Sequence, residues 1–517
     1  MAFLLEKVSV EEIDRFPSKG LLGRRKIKTN VAEITADNVK EVLSDALAIH
    51  FKNAMEIKYL WNYYRGRQDI QFKEKCVREN INNKVTINRA MEIVTFKTAY
   101  LLNEPIQYVS NGSTETVSNK ISKLNDLMRA EDKESVDKET IDWIHICGVC
   151  PRLVLPDEDT GEIFGAPYHI YTLDPREAFV IYSSRIGQKP LGGVVIQKDK
   201  DNENIYTVYT DDKCFIVSKD KVDEKSHILG GIPLVEYIAN PARMGAFEGV
   251  ISILNNINTI ESNAVDSVQD FVNGFDVFQN CDIDDGEYQE LGLGGKAVKI
   301  KTVTQGMEAK VYRIVSELSQ SGVQQRIDDF TESYLTICGM PNRNGGSSTS
   351  DTGQAVIFRD GWSEAESRAK DTEKLFKRSE YQMLRIVLKI CEVKGDLQID
   401  LKDIGINFAR KSLNNLQSKI QCFNECLASG WVHPEDVYKA FGDVFGDKEL
   451  AYRRGLKWHE QQKSEEEASL KKALDDERKR VTDNEEETDD TRTVQSGGSG
   501  GKSDFQGNGA ASDRDEK

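Results

Sequence analysis

Asp351, Thr352 and Gly353 spell the triplet that carries the catalytic carboxylate of aspartic proteases. That chemistry needs two such carboxylates sharing a proton. The chain has no second copy, and the triplet follows a Ser/Thr run and precedes a helical pattern. Asp351 or Thr352 is better placed as a helix N-cap, its side-chain oxygen accepting from orphan amides of the first turn. Gly292 to Lys296 resembles a phosphate loop, but Glu290 and Ala297 stand where glycine and a hydroxyl are required. Asp282, Asp284 and Asp285 miss the register of a calcium-binding loop. Cys147 and Cys150 lie near His145, and Cys422 and Cys426 lie four apart, so four metal ligands are available on paper. The first pair borders Trp143, Ile144, Ile146 and Val149, where thiols pack as small hydrophobes. The six histidines form no H-E-x-x-H pattern. No catalytic residue, cofactor or metal is expected, and the chain does not read as an enzyme.

A different kind of site is suggested by Pro341 to Ile357, a small-residue loop between two long helical patterns. Ordering such a loop costs entropy and adds nothing to a core, so its retention points to function. Asn342, Arg343, Asn344, Gly345, Gly346, Ser347, Ser348, Thr349 and Ser350 are its candidate contact residues. Arg343 is the only charge before Asp351, and a cation among small polar residues suits transient, sequence-blind phosphate contact. Gly345, Gly346 and Gly353 would let the loop move, and Gly361 is a kink point near the start of the next helix.

The 517 residues carry a net charge of −17 and are 38% hydrophobic, enough for a sizeable core. The charge argues against adhesion to nucleic acid through a broadly basic surface, yet it suits a wall past which a polyanion moves without sticking. No apolar run reaches the length of a membrane span, and no apolar signal core opens the chain, so neither insertion nor export is expected. Nine cysteines over this length suggest a reducing compartment.

The periodicity predicts an α+β, mainly helical fold. Residues 1–37 read as an irregular arm with a solvated basic run, Arg24, Arg25, Lys26 and Lys28. Helices are predicted over 38–65, 88–102 and 114–147, then short antiparallel strands over 152–217. From Phe247 to Phe271 the apolar stripe runs through Val250, Leu254, Ile257, Ala264 and Val268, with Glu261 interrupting it. A second stripe spans 315–338 through Ile327, Phe330, Tyr334 and Ile337. Residues 274–312 break into β-like pieces, so two long helices bracket a compact insertion. The longest helical pattern runs from Gln354 to Val393, with Arg368, Lys370, Lys374, Lys377, Arg378, Arg385 and Lys389 balanced by Glu364, Glu366, Asp371, Glu373 and Glu380 on a solvated face. Short helices follow over 411–458, and the charged, Gly/Ser-rich end beyond 471 is expected to be disordered.

Several stretches, in order, resemble portal proteins of tailed bacteriophages, of the siphophage type from Gram-positive hosts. They are Trp61 to Ile70, Asn83 to Asn88, Tyr100 to Ile106, Leu173 to Ala178, Gly231 to Tyr237, the helix with Ser252 to Asp266, and Thr352 to Ile357. Each alone is weak; their order and spacing over about 40–440 are specific. The resemblance implies a virion protein at the capsid portal vertex, assembled in the host cytoplasm. It would form a homo-oligomeric ring of twelve subunits, thirteen when isolated, around a channel for packaging and ejecting double-stranded DNA. Partners would be the terminase large subunit, a head-tail adaptor, the scaffold and the major capsid protein, with no membrane involved. On this pattern 38–240 is the wing, 241–273 and 313–338 are stem helices, and 274–312 is the clip. The tunnel loop is 339–353, the long helix 354–395, the crown 396–470 and the tail 471–517. Asp282, Asp284, Asp285, Lys296 and Lys299 would then be clip contacts. The alternative is a coiled-coil scaffold or interaction protein without a DNA channel, resting on the helical seams alone; a metal-dependent nuclease resting on the acidic clusters is a more distant reading.

Overall fold

The computed structural model describes residues 21, 23–76, 79–111, 115–157, 165–219, 221–272, 275–282, 301–302, 306, 308, 310–314, 320–342, 361–394, 397–408, 416–441 and 448–489. The chain divides into two compact units at 447/448.

The first unit opens with strand β1 (Ile27–Thr29) and helix α1 (Val39–Tyr64), then α2 (Arg89–Leu101) and β2 (Gln107–Ser110). Asn88 caps α2, its side chain accepting from the Met91 amide. Two helices follow, α3 (Glu115–Ala130) and α4 (Lys133–Cys147). The sequence predicts one helix over 114–147; the break lies at Asp132, which adopts a left-handed φ of 48° without any Gly or Pro to announce it.

Eight strands come next: β3 (Val149–Pro156), β4 (Tyr168–Thr172), β5 (Ala178–Ser183), β6 (Pro190–Lys198), β7 (Asn204–Tyr209), β8 (Lys213–Val217), β9 (Val222–Ser226) and β10 (Leu234–Ile238). They form a six-stranded sheet in the order β1-β5-β6-β7-β8-β9 and a three-stranded sheet, β10-β3-β4. The β module is therefore wider than 152–217, and it recruits β1 in parallel to β5. That corrects the reading of 1–37 as a free arm. Arg24 of its basic run is 3% exposed, because the buried carboxylate of Glu248 and the half-buried one of Glu56 receive it. Leu153, Val180, Val195 and Leu234 pack between the sheets, while α1 covers the outer face of the larger one through Val39, Val42, Leu43 and Ala46.

Helix α5 (Ile251–Val272) leads to short antiparallel pairs, β11 (Phe275–Gln279) with β14 (Lys310–Ile314) and β12 (Cys281–Asp282) with β13 (Lys301–Thr302). The chain so returns to α6 (Gln320–Cys338), which packs against α5. Helix α7 (Trp362–Lys394) lies on β10 and β3, burying Phe376, Met383, Ile386 and Ile390 of the predicted stripe. Strand β15 (Ile404–Asn407) pairs with β2, and α8 (Leu416–Ser429) packs against α9 (Pro434–Phe441). Strands β3 and β10, with α1, α2, α4, α5, α6 and α7, share one apolar core.

The second unit contains α10 (Lys448–Asp489), 42 residues long and the longest described helix. The sequence predicts only short helices to 458 and a charged stretch beyond. Few apolar residues mark the helix, and Trp458, Leu470 and Leu474 are all exposed on it.

Candidate functional site

Two features of the molecule hold long helices in fixed positions, and a third frames the loop singled out in the sequence. The first is a polar ladder along α5. Its apolar stripe ends at Ile257, and the buried face continues through Asn258, Ser262 and Asp266, each at most 3% exposed. The sequence predicts instead that the stripe runs on through Ala264 and Val268 to Phe271, but Val268 is 55% exposed. Opposite the three polar residues runs an extended strap, residues 81–88, that belongs to no sheet. Asn258 Oδ1 accepts from the Ile87 amide at 2.9 Å, Ser262 Oγ from Val85 at 2.9 Å, and Asp266 Oδ1 from Asn83 at 2.7 Å.

The match is geometric. Four helical residues advance about 6 Å, and two extended residues advance about 6.6 Å. Every other strap amide faces the helix, and every fourth helix residue meets one. The ladder thus supplies the acceptors that a neighbouring strand would otherwise provide.

Both ends of the ladder are reinforced. Asp266 also receives Lys73 Nζ at 2.9 Å, Lys75 Nζ at 3.3 Å and Asn83 Nδ2 at 2.8 Å. Burial pushes its carboxyl up, but these donors outweigh that and hold it well below the usual carboxylate range. At the other end Asn258 Nδ2 donates to Gln68 Oε1 at 2.6 Å, and Gln68 Nε2 donates to the Tyr63 carbonyl and to Asn88 Oδ1. Asn255 joins Tyr63 to Asp69. The stretches 61–70, 83–88 and 252–266, separate in sequence, are one hydrogen-bonded assembly.

The ladder has a direct test. In hydrogen exchange, the amides of Asn83, Val85 and Ile87 should be slower than those of Lys84 and Thr86, which take no part in it. A net contribution of about 0.5–1.5 kcal/mol per bond corresponds to roughly 2–10-fold. Asp266→Ala should remove the protection at Asn83 first. Uniform exchange along the strap would exclude the ladder.

The second feature is a joint at the start of α5. Arg24 grips Glu248 with two nitrogens, each 3.1 Å from a carboxylate oxygen, and its Nε stands 3.1 Å from Glu56. Gly245 N adds a third donor to Glu248 at 2.7 Å. Burial pushes the Glu248 carboxyl up to about 7, with Arg24 and Gly245 pulling the other way. Three donors on two oxygens fit the ionised form. Backbones close in around it: a Cβ on Gly148, where φ is +86°, would stand 2.3 Å from the Arg243 carbonyl carbon. Only glycine fits there.

The third feature is the pair of feet of the segment 343–360. At the first foot α6 ends in a Schellman motif: Met340 N donates to Leu335 O at 2.8 Å and Gly339 N to Thr336 O at 3.0 Å. Gly339 has φ +64°, and a Cβ on it would stand 2.8 Å from Arg368 Nε, so the Arg368 side chain lies directly over this turn. The second foot is Gly361, with φ +82°. Helix α7 starts at the next residue, and 354–360, where the sequence predicts the helix to begin, lie outside the described residues. A Cβ on Gly361 would be 3.8 Å from the Cα of Pro341, so the segment leaves and returns at one place.

Of the candidate residues, Asn342 and Gly361 are placed at these feet, and Asp282 lies in β12. Arg343, Asn344, Gly345, Gly346, Ser347, Ser348, Thr349, Ser350, Asp351, Thr352, Gly353, Asp284, Asp285, Lys296 and Lys299 lie outside the described residues. Cys147 and Cys150 are fully buried free thiols, and burial pushes Cys147 up to about 12, which makes it inert.

Sequence reasoning missed one cluster altogether. Glu380, assigned there to the solvated face of α7, is 0% exposed. Its Oε1 accepts from Tyr108 at 2.5 Å and pairs with Lys133 at 2.7 Å; its Oε2 accepts from Tyr237 at 2.7 Å and faces Arg152 at 3.4 Å. Asp137 closes the group, pairing with Lys133 at 2.6 Å and Arg152 at 2.9 Å. Two cations and two anions balance. Arg152, a lone charge in the otherwise apolar run of β3, was the readable signal. Other charges of α7 behave as expected, with exposed pairs such as Arg368–Glu364 and Lys374–Asp371.

Comparison with known proteins adds three findings. Residues 43–453 match the family described as phage portal protein, SPP1 Gp6-like. No curated protein matches the chain. Among solved structures, a chain of the virion of a native gene transfer agent particle aligns over 75% of this chain and 93% of its own, at 9% identity and a TM-score of 0.39. A chain from the neck of an empty gene transfer agent particle aligns over 68% and 89%, at 10% identity and a TM-score of 0.38.

Proposed function

The chain belongs to the SPP1 Gp6-like family of phage portal proteins, and from that premise we propose that its copies close into a ring at one vertex of a capsid. The central channel passes double-stranded DNA inward during packaging and outward during ejection. The ring is the docking point for the terminase motor and later for the head-tail adaptor, and it contacts scaffold and major capsid protein. In this reading 38–240 form the wing, α5 and α6 the stem, 274–312 the clip, 339–353 the tunnel loop, α7 the long helix behind it, and 396–470 the crown. The family is structural; the work of moving DNA belongs to a separate motor.

The observation that supports this most is the pinned foot geometry. A segment that leaves and returns at one point between two packed helices can be presented to a channel without disturbing the body that holds it. The feet fix where the loop begins and ends, and Arg343 with its small neighbours would meet the phosphate backbone without reading bases. The small, polar composition favours lubrication or valving over gripping.

The coiled-coil alternative fares worse. It needs a free apolar seam on α5, and beyond Ile257 the buried positions are polar and already engaged with the strap.

Electron microscopy with native mass measurement tests the reading. Twelve copies of 58.3 kDa give rings of about 0.7 MDa, with a hole wide enough for duplex DNA. Filaments or dimers, persisting when scaffold and capsid proteins are supplied, would sink it.

A further inference from the structure

Cations gather where β1 meets the β5–β6 turn, on the side facing α7. Lys28 is in register with Tyr182. Lys26 Nζ stands 3.9 Å from the centre of the Tyr182 ring and donates to Gln188 at 3.0 Å. Helix α7 comes up to the same place, since Ser379 Oγ donates to the Glu236 carbonyl and the Glu236 side chain accepts from Tyr182, which brings in Arg378, the residue before Ser379. Burial and the charges of Arg243, Lys28 and Arg378 lower the Lys26 pKa. The turn 184–189 brings Arg185 and Lys189, and Ser184 ties it to β1 through the Thr29 carbonyl and the Asn30 side chain. The acid at hand, Glu236, is occupied by Arg243 and Tyr182. Lys28, Arg185, Lys189 and Arg378 are exposed and form no ion pair among the described residues.

In a chain of net charge −17, an uncompensated basic group of this kind runs against the average surface. Ile186 stands at the tip of the same turn, fully exposed beside Arg185. No other large apolar residue is exposed in β1, β5, β6 or the turn. A protein partner would need an apolar interface core that is lacking here. A single apolar wedge flanked by cations is the arrangement that enters a DNA minor groove.

We propose that this patch binds the backbone of duplex nucleic acid without regard to sequence, with Ile186 inserted at the minor groove. The contact lies on the α/β body and involves none of the loop residues 342–350, so it does not require ring formation.

The test uses the full chain and a short DNA duplex of arbitrary sequence, with affinity measured against salt concentration. Each phosphate contact contributes about 0.9 to the slope of log affinity on log salt. Replacing Lys28, Arg185, Lys189 and Arg378 together by alanine should therefore lower the slope by about 3–4, with melting temperature unchanged. Ile186→Ser should keep the slope and abolish duplex bending, read by energy transfer between the duplex ends. An unchanged slope in the fourfold variant overturns the proposal, as does a slope lost instead through Arg343→Ala in the loop. Binding of polyglutamate as tight as that of the duplex would reassign the patch to an acidic protein and likewise overturn it. Micrographs of the same samples score ring formation separately, so failure of the patch and failure of the portal reading are told apart.

Discussion

Glu380→Ala is expected to lower the stability of the first unit by about 3–5 kcal/mol, the usual consequence of breaking a buried ion pair from one side. The mutation removes one anion and leaves Lys133 and Arg152 buried with Asp137 alone, and it strips two tyrosine hydroxyls of their acceptor. Glu380→Gln keeps the shape and an acceptor and should cost less. Denaturant midpoints of the three proteins give the order. The network also predicts a pH dependence. Burial pushes the Glu380 carboxyl up, but Lys133 and Arg152 prevail and hold it down to about 2, from an ordinary 4.5. A carboxyl lowered in the folded state contributes stability above its unfolded pKa and loses it as pH falls. Wild type should therefore lose this contribution between about pH 4.5 and pH 2, and Glu380→Ala should show a shallower acid slope in that window. Equal slopes would mean that the carboxylate is not held by its partners.

This cluster matters to the proposed function because of where it sits on α7. The helix begins directly after Gly361, the second foot of the loop, and is fixed in its middle by Glu380 to β2, α4, β3 and β10. A buried charge accepts few alternative registers, since sliding the helix by one turn would leave both the acid and its cations unpaired. The foot of the loop is thereby indexed to the α/β body.

Which parts of this were legible in the sequence follows from what each side chain signals. Helices α1, α2, α6 and α7 announced themselves because apolar residues recur at helical spacing and face one core. Asn258, Ser262 and Asp266 recur at the same spacing but are polar, so their burial could not be read without the strap that meets them. The strap in turn shows no strand pattern, because its partner is a helix. Glu380 lies next to exposed cations such as Arg378, and composition cannot tell a solvated acid from one whose partners arrive from four distant elements. The break at Asp132 left no trace because a left-handed Asp, unlike Gly or Pro, is locally unremarkable in a charged stretch. The loop was conspicuous from its composition, whereas the closeness of its feet is a property of the fold.

Asn258→Leu decides between the two readings of α5 by the sign of its effect. If the helix were one side of a coiled-coil seam, leucine at this position would extend the apolar stripe past Ile257 and stabilise the protein. On the ladder reading the same substitution is destabilising. It removes the acceptor of the half-buried Ile87 amide and the donor to Gln68 Oε1, where both Asn258 and Gln68 are 0% exposed. Each buried group left unpaired costs about 1–3 kcal/mol, so a loss of about 2–5 kcal/mol is expected. Gln68 would lose its fixed orientation, and with it the bridge to Asn88, which caps α2 and donates to the Tyr64 carbonyl. Ser262→Ala, which removes a single acceptor, should cost about 1–3 kcal/mol. Paired measurements of denaturant midpoint and of exchange at the Ile87 amide check the assignment, since the ladder requires both to fall together. A stabilised Asn258→Leu protein with Ile87 still protected would return α5 to the role of a free seam. The loss expected here means instead that α5 is bonded to the strap and to 63–69 along most of its length, so that in the proposed ring the stem helix turns with the wing as one piece.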